Sequence, residues 1–236
     1  MQLRSDSFEN GQPIPAEFAF GRPGDPMALS DNRSPHLAWS GAPPGTRSFV
    51  LTVIDPDVPS RRDDVNQPGR SVPADLRRVE FVHWLMADIP PEYTELAAGA
   101  CSDGVTAHGK HEPFGPPRSV QGMNDFTGFF AGDADMVGEY LGYDGPCPPW
   151  NDERVHHYHF RVSALDVATL GLARGFTLTQ LREAMDGHVL ASAEWLGTYS
   201  LNPAHRGGRA GDCRAGRTSP QRAGRHRQPS RAHGIG

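Results

Sequence analysis

Residues 48–60 read SFVLTVIDPDVPS, a stretch in which an apolar run leads directly into two carboxylates. Apolar residues occupy both alternating faces from Phe49 to Ile54, which is typical of a strand that is covered on both sides. An ionised carboxylate at the end of such a strand needs a hydrogen-bond donor, because burying an unpaired charge is costly. The stretch therefore predicts a central strand with Asp55 and Asp57 in a polar cluster at its end.

Two further stretches predict strands that carry polar groups. Residues 79–88, VEFVHWLMAD, read as a second central strand with His83 inside it. In residues 156–165, HHYHFRVSAL, every second residue from His156 through Tyr158 lies on one face, and the opposite face is polar. This third strand is predicted to be half exposed, with His156 and Tyr158 pointing the same way.

Helical signals are few and late in the chain. Thr177 and Gln180 form a capping box, and apolar residues then recur at helical spacing, which predicts one helix from Leu178 to about Trp195. A short strand is expected over residues 198–201. The side chains predicted to pack on the sheet are those of Leu178, Leu181, Met185 and Trp195. Residues 56–78 and 102–150 have no clear periodicity and predict long loops on a mainly β sandwich.

Charge divides the chain into a body and a tail. Residues 204–236 contain eight arginines and one aspartate, a net charge of +7, whereas residues 1–203 carry 15 cationic and 27 acidic side chains, a net charge of −12. The tail has no aromatic residue, leucine, valine or methionine, so a folded domain over 1–203 and a disordered Arg/Gly-rich tail over 204–236 are predicted.

Three interpretations of the tail stay open. The tail could serve no role beyond that of a solvated appendage, it could be a basic arm that binds nucleic acid or an anionic surface, or it could be an out-of-frame terminus. The out-of-frame interpretation follows from the 22 arginines and one lysine of the chain, which indicate G+C-rich coding DNA. Out-of-frame translation of such DNA tends to yield Arg, Ala, Gly, Pro and His. Because the body is acidic and the tail lacks stacking aromatics, no specific nucleic-acid partner is expected.

The remaining composition favours a cytoplasmic protein. Three cysteines with no CxxC spacing suggest neither a disulfide framework nor a zinc site, and no apolar run is long enough to span or signal for a membrane. No GxSxG, P-loop or nucleophile–base pair at motif spacing is present, and Ser102 and Cys147 lack any local catalytic signature. No catalytic residue, cofactor or metal is therefore expected.

Four segments together resemble the phosphatidylethanolamine-binding protein family, in its bacterial and archaeal branch, often labelled Raf-kinase-inhibitor-like. They are SPHLAWSGAPPGTRSFVLTVIDPDVPS, HWLMADIP, YDGPCPPWNDERVHHYHFRVSALDV and GHVLASAEWLGTYSLNP, and the resemblance runs from about Phe8 to Pro203. It implies a β-sandwich of Greek-key character with one C-terminal helix, long loops and an anion pocket at one end. The segments at 65–78 and 102–144 differ from the common bacterial pattern, so the resemblance does not predict which residues form the rim of the pocket.

Carried over by position, the family's pocket residues fall on Asp55, His83, Gly145, His156 and Tyr158. His157 stands where the family has arginine, on the opposite strand face from the pocket. In this reading Asp55 orients an imidazole, the histidines donate to the anion, and the Gly145 segment supplies an N–H group.

The function implied is non-catalytic binding of a small anion, such as phosphate or a phospholipid headgroup. The resemblance also implies a kinase or protease as a regulated partner, and a homodimer. It does not imply insertion into a membrane. The alternative is a metal-dependent enzyme, because His157 and His159 form an H-x-H pair on one strand face.

Overall fold

The computed structural model describes residues 1–205 of the 236-residue chain. The described part is mainly β, as predicted, with two α-helices, of which only one exceeds a single turn. Eleven strands run in chain order: β1 Gln2–Arg4, β2 Gln12–Pro13, β3 Gly21–Pro23, β4 Met27–Leu29, β5 Leu37–Ser40, β6 Ser48–Pro59, β7 Arg78–Ile89, β8 Glu95–Leu96, β9 Val120–Gln121, β10 His156–Leu165 and β11 Val189–Tyr199. The helices are α1 Phe126–Phe129 and α2 Leu178–Met185, with 3₁₀ turns at Ala16–Phe18 and Pro203–His205.

The three strands predicted from the sequence form the centre of one six-stranded sheet. Its order is β2-β11-β10-β6-β7-β9, and β6 pairs antiparallel with both β7 and β10. A three-stranded sheet, β1-β5-β8, and the β3-β4 hairpin complete the strand pairing. Because β7, β6 and β10 are neighbours, side chains near one end of all three strands meet in space.

Both faces of β6 are largely covered, which confirms its two-sided apolar pattern, whereas β10 leaves its face of His157, His159 and Arg161 partly exposed, as predicted. On one face, residues such as Phe49 and Phe160 share a core with Leu37 and Trp39 of the three-stranded sheet. On the other face, Val50 and Leu85 pack with Leu181 of α2. Leu181 is fully buried, and Leu178 and Met185 lie partly buried beside it, as the helical spacing predicted.

The helix predicted up to Trp195 is wrong in its second half. It begins at the capping box of Thr177 and Gln180, but it ends at Met185, and Gly187 with a φ of +76° then turns the chain into β11. Residues 189–199 pair with β10 over its whole length, so sheet hydrogen bonding overrides the helix-forming composition there. Trp195 accordingly packs on the main core from a strand rather than from α2.

The short helix α1 was not predicted, and neither described helix is long and apolar enough to cross a membrane. Of the predicted disordered tail, only Ala204 and His205 are described, and they belong to the final 3₁₀ turn. The rest of that prediction concerns residues outside the described part of the chain.

Candidate functional site

Four of the five predicted site residues line one cavity of about 270 Å³. Asp55 comes from β6, His83 from β7, and His156 and Tyr158 from one face of β10. The pairing of β6 with β7 shifts register between Asp55 and Val58, and this bulge lies at the cavity. Asp55 Oδ1 accepts a hydrogen bond from the backbone N–H of Asp57 (2.7 Å), which fixes the carboxylate at the bulge.

His156 lies between two carboxylates at the cavity floor. Its Nδ1 is 2.6 Å from Asp55 Oδ2 and its Nε2 is 3.1 Å from Asp152 Oδ2, with the imidazole and both acids buried. Burial opposes the charged form, but the charge of Asp55 and the hydrogen bonds to both acids raise the pKa of His156 to about 9. His156 is therefore an imidazolium at neutral pH.

This arrangement corrects the role predicted for His156. A free ring N–H was expected to face the ligand, yet Asp152 occupies that nitrogen. Asp152 is also bound by the buried Arg78, with N–O distances of 2.5 and 3.0 Å. Two acids and two cations, all four buried, thus balance to zero net charge, and His156 organises the floor rather than donating to an anion.

His83 has the opposite electrostatic setting. Its Nδ1 lies 2.7 Å from the backbone oxygen of Asp144, so this nitrogen carries the proton and Nε2 is left for the cavity. The imidazole lies among the rings of Phe81, Phe126 and Tyr158, at centroid distances of 5.0 to 5.6 Å. Burial is the main cause that lowers the pKa of His83, against the raising effect of Asp55, so the ring is neutral.

Tyr158 is buried, and its hydroxyl has no hydrogen-bond partner among the described residues. Burial, with the charge of Asp55 adding to it, raises the pKa of this phenol well above its usual range, so it keeps its proton. An unpaired hydroxyl in a buried site costs free energy unless a ligand or water pairs with it. Tyr158 is therefore an available donor at the cavity.

Gly145 does not have the predicted role of a ligand donor. Gly145 is not among the residues that line the cavity, and its N–H donates to Asn32 Oδ1 at 2.8 Å. A Cβ at this position would lie 2.2 Å from the backbone oxygen of Phe18, so glycine is required by close backbone packing. The neighbouring Asp144 is held by Lys110 and by two asparagine amides, and it in turn holds His83.

The walls of the cavity are mostly apolar, apart from Arg62, Asn66 and Asp133, and come largely from segments without strand or helix periodicity. Phe126, Phe129 and Met136 belong to the long segment between β9 and β10, and Arg62 comes from the loop after β6. The guanidinium of Arg62 lies over the ring of Phe129, 5.1 Å from its centroid. Arg62 is the only lysine or arginine that lines the cavity within residues 1–205.

Sequence reasoning missed Asp152 and these walls. Asp152 lies in the polar run NDER, where an acid is normally solvated, so no local signal marks it. The sequence does contain a pattern that indicates the walls, because the segment FTGFF at 126–130 has three phenylalanines in a Gly-rich loop. Apolar side chains in such a loop indicate that it packs on something, and here they pack around the cavity.

The two histidines of the H-x-H pair contact different carboxylates. His157 Nδ1 pairs with Asp57 (2.8 Å), whereas His159 Nδ1 pairs with Glu194 (3.1 Å). Within the described residues no group of three or more metal-ligating side chains is placed to hold an ion. His157 also lies on the face away from the cavity, as its strand position predicted.

Comparison with known proteins agrees with this architecture. The family model described as phosphatidylethanolamine-binding protein matches residues 4–200. The chain belongs to the phosphatidylethanolamine-binding protein family. A UPF0098 protein of Chlamydia trachomatis is 35% identical over 199 residues, which cover 84% of this chain and 98% of the relative. A UPF0098 protein of Aquifex aeolicus is 32% identical, with 84% and 88% of the two chains covered.

Two solved structures of family members resemble the fold. Escherichia coli YbcL, described as a member of the mammalian phosphatidylethanolamine-binding protein family, has a TM-score of 0.61 at 28% identity and covers 84% of this chain and 97% of its own. A Chlamydia trachomatis homolog has a TM-score of 0.57 at 33% identity, with 84% and 96% covered. The family resemblance seen in the sequence motifs is thereby confirmed.

Proposed function

We propose that this chain is a non-catalytic binding protein for a small anionic ligand, a phosphate or phospholipid-headgroup-like group held at the cavity floor. The unpartnered hydroxyl of the buried Tyr158 is the observation that carries the proposal. A hydrogen-bond donor that is left unpaired in a buried site is destabilising by itself, and an anion that accepts its hydrogen bond removes that cost. Its position beside His83 gives a second group that reaches the same ligand.

The positive charge for the anion comes from His83 rather than His156. The Asp55, His156, Asp152 and Arg78 group is already neutral as a whole. Neutral His83 presents an unprotonated Nε2, which accepts rather than donates. An anion beside Nε2 favours protonation, so binding takes up about one proton and supplies a charge-assisted hydrogen bond.

This coupling sets the sign of the pH dependence. The pKa of His83 is lowered in the free protein, and a bound anion raises it. Affinity therefore falls as pH rises between these two pKa values, by up to about tenfold per pH unit for one proton. An anion that does not titrate between pH 5 and 8, such as sulfate, isolates the contribution of the protein.

Other groups at the cavity support a role without catalysis. Burial raises the pKa of Cys147 to about 12, so the thiol stays protonated and is a poor nucleophile. His156, fixed on both nitrogens by carboxylates, has no free nitrogen to move a proton.

The free thiols of Cys101 and Cys147 suit the reducing cytoplasm that we propose as the location.

The test compares Tyr158→Phe with Tyr93→Phe, the same chemical change at a tyrosine outside the cavity. Isothermal titration of the full chain with inorganic phosphate and with phosphoethanolamine at pH 6 should give binding that Tyr158→Phe weakens about tenfold or more. That loss is expected for one hydrogen bond to a charged group. Tyr93→Phe should bind as the wild type does. Absence of binding in the wild type, or equal affinity in Tyr158→Phe, would refute the proposal.

The regulated kinase or protease and the homodimer stay predictions from the family resemblance. No surface of the described residues selects either partner, and the proposal does not depend on them.

A further inference from the structure

The cavity has two chemically different parts, and only the smaller one is explained by an anion. The polar floor consists of Asp55, His83, His156 and Tyr158. The larger part is a wall of aromatic and thioether side chains: Phe20, Phe81, Phe126, Phe129, Phe130 and Met136. A pocket with a few polar groups at one end and an apolar remainder is typical of a ligand built in the same way.

The aromatic wall is preformed by contacts among its own rings. Phe126 stacks on Phe20 with centroids 4.5 Å apart and meets the edge of Phe81 at 5.2 Å. Phe130 stacks on Phe126 at 5.7 Å and meets Phe129 at 4.9 Å. Rings held in this way offer both faces and edges to a further aromatic group without reorganisation, so little ordering is required on binding.

The mouth of the cavity leaves apolar surface in water. Leu29 and Phe129 both line the cavity, yet their exposed fractions are 52% and 36%. Residues of this kind gain free energy when an apolar ligand group covers them. The guanidinium of Arg62 contacts the Phe129 ring, which adds a cation–π interaction at this part of the cavity.

The size of the cavity favours a compact ligand. A volume of about 270 Å³ lies near the lower end of the ~300–1,000 Å³ that is typical of small-molecule sites. If an inorganic anion alone occupies the floor, water fills most of the remaining cavity and contacts the phenyl rings. A single ring or a short branched alkyl group is of the size that covers these rings.

We propose, building on the proposed function, that the ligand is a compact aryl or branched-alkyl phosphate, with its phosphate at the floor and its apolar group against the phenylalanine wall. The floor alone does not distinguish this class from free phosphate or from a zwitterionic headgroup. The wall does, because it adds favourable burial only for the apolar group. Covering a phenyl ring in this way corresponds to about 10- to 100-fold tighter binding.

Three probes test the inference on the full chain at pH 6 by isothermal titration: inorganic phosphate, phosphoethanolamine and phenyl phosphate. We expect phenyl phosphate to bind 10- to 100-fold more tightly than inorganic phosphate, and phosphoethanolamine to bind within about threefold of it. Phenyl phosphate that binds no more tightly than inorganic phosphate, or less tightly than phosphoethanolamine, would overturn the inference and leave the proposed function standing. Failure of all three probes to bind would overturn the proposed function itself.

Matched variants locate the effect in the wall. Phe129→Ala should remove most of the advantage of phenyl phosphate over inorganic phosphate. Phe114→Ala removes an equally large ring that is 69% exposed and outside the cavity, and it should change neither affinity. Leu29→Ala, at an exposed lining position, gives a second and smaller loss of the phenyl advantage if Phe129→Ala folds poorly. An unchanged ratio of the two affinities in both wall variants would contradict the inference.

Discussion

The imidazolium of His156 makes the stability of the protein depend on pH in a direction that can be worked out from its contacts. Asp55 and Asp152 contact its two nitrogens, and its pKa is raised to about 9 from an ordinary value of 6.5. A group whose pKa is raised on folding contributes its full stabilisation below the unfolded pKa and loses it as pH rises through the folded pKa. The free energy of unfolding should therefore decrease between pH 6 and pH 9.

The size of the decrease follows from the difference between the two pKa values. The rise of the His156 pKa from 6.5 to about 9 corresponds to about 3 kcal/mol in total, of which about 2 kcal/mol is lost between pH 6 and pH 8.5. Measurements should stop near pH 8.5, because the buried thiols of Cys101 and Cys147 add their own pH dependence as unfolded cysteines ionise. On the acid side the lowered pKa of His83 has the opposite sign, so stability falls again below about pH 6.5.

Urea unfolding at pH 6, 7, 8 and 8.5 measures this directly. His156→Gln should be less stable than the wild type at pH 6 by about 3–5 kcal/mol, because Asp55 and Asp152 then lose their shared cation. Its stability should also vary much less with pH. His188→Gln provides the control, since His188 pairs with Asp166 at the surface and its loss should leave the slope unchanged. A wild-type stability that stays constant from pH 6 to 8.5 would refute the reasoning.

Three further substitutions test the packing around the site. Gly145→Ala should lower the melting temperature sharply, because its Cβ would lie 2.2 Å from a backbone oxygen; an unchanged melting temperature would contradict that placement. Leu181→Ala should lower the free energy of unfolding by about 2–5 kcal/mol. Leu190→Ala, at an exposed position, should change it by less than about 0.5 kcal/mol. Equal effects of the two substitutions would contradict the packing of α2 on the sheet. Tyr158→Phe should leave the ligand-free protein as stable or more stable by about 1 kcal/mol in urea unfolding, and a clear loss would mean that the hydroxyl has a partner.

The central strands were predictable because their signal is local. Residues 48–55, 79–88 and 156–165 are long apolar or alternating runs, and each lies within a strand of the six-stranded sheet. The convergence of Asp55, His83, His156 and Tyr158 followed from polar groups in apolar strands, since such groups need partners. The family motifs identified these four positions together with Gly145, which does not line the cavity.

Features that depend on distant contacts were not predictable from local patterns. The residues predicted to form the second half of the helix form β11 instead, because they pair with β10 on one side and with β2 on the other. The role of His156 changed because Asp152, four residues earlier in an irregular segment, reaches its second nitrogen. Gly145 is required by a backbone approach to Phe18, more than a hundred residues away, which no sequence pattern encodes.

The protonation state of His83 with and without phosphate tests the central claim most directly. Long-range proton–nitrogen NMR correlation spectra distinguish the two ring nitrogens, and His83→Gln identifies the signals by their loss. We predict that the free protein at pH 7 has a neutral His83 with its proton on Nδ1, and that saturation with inorganic phosphate adds a proton at Nε2. His83 signals that remain those of the neutral ring at saturating phosphate would contradict the account.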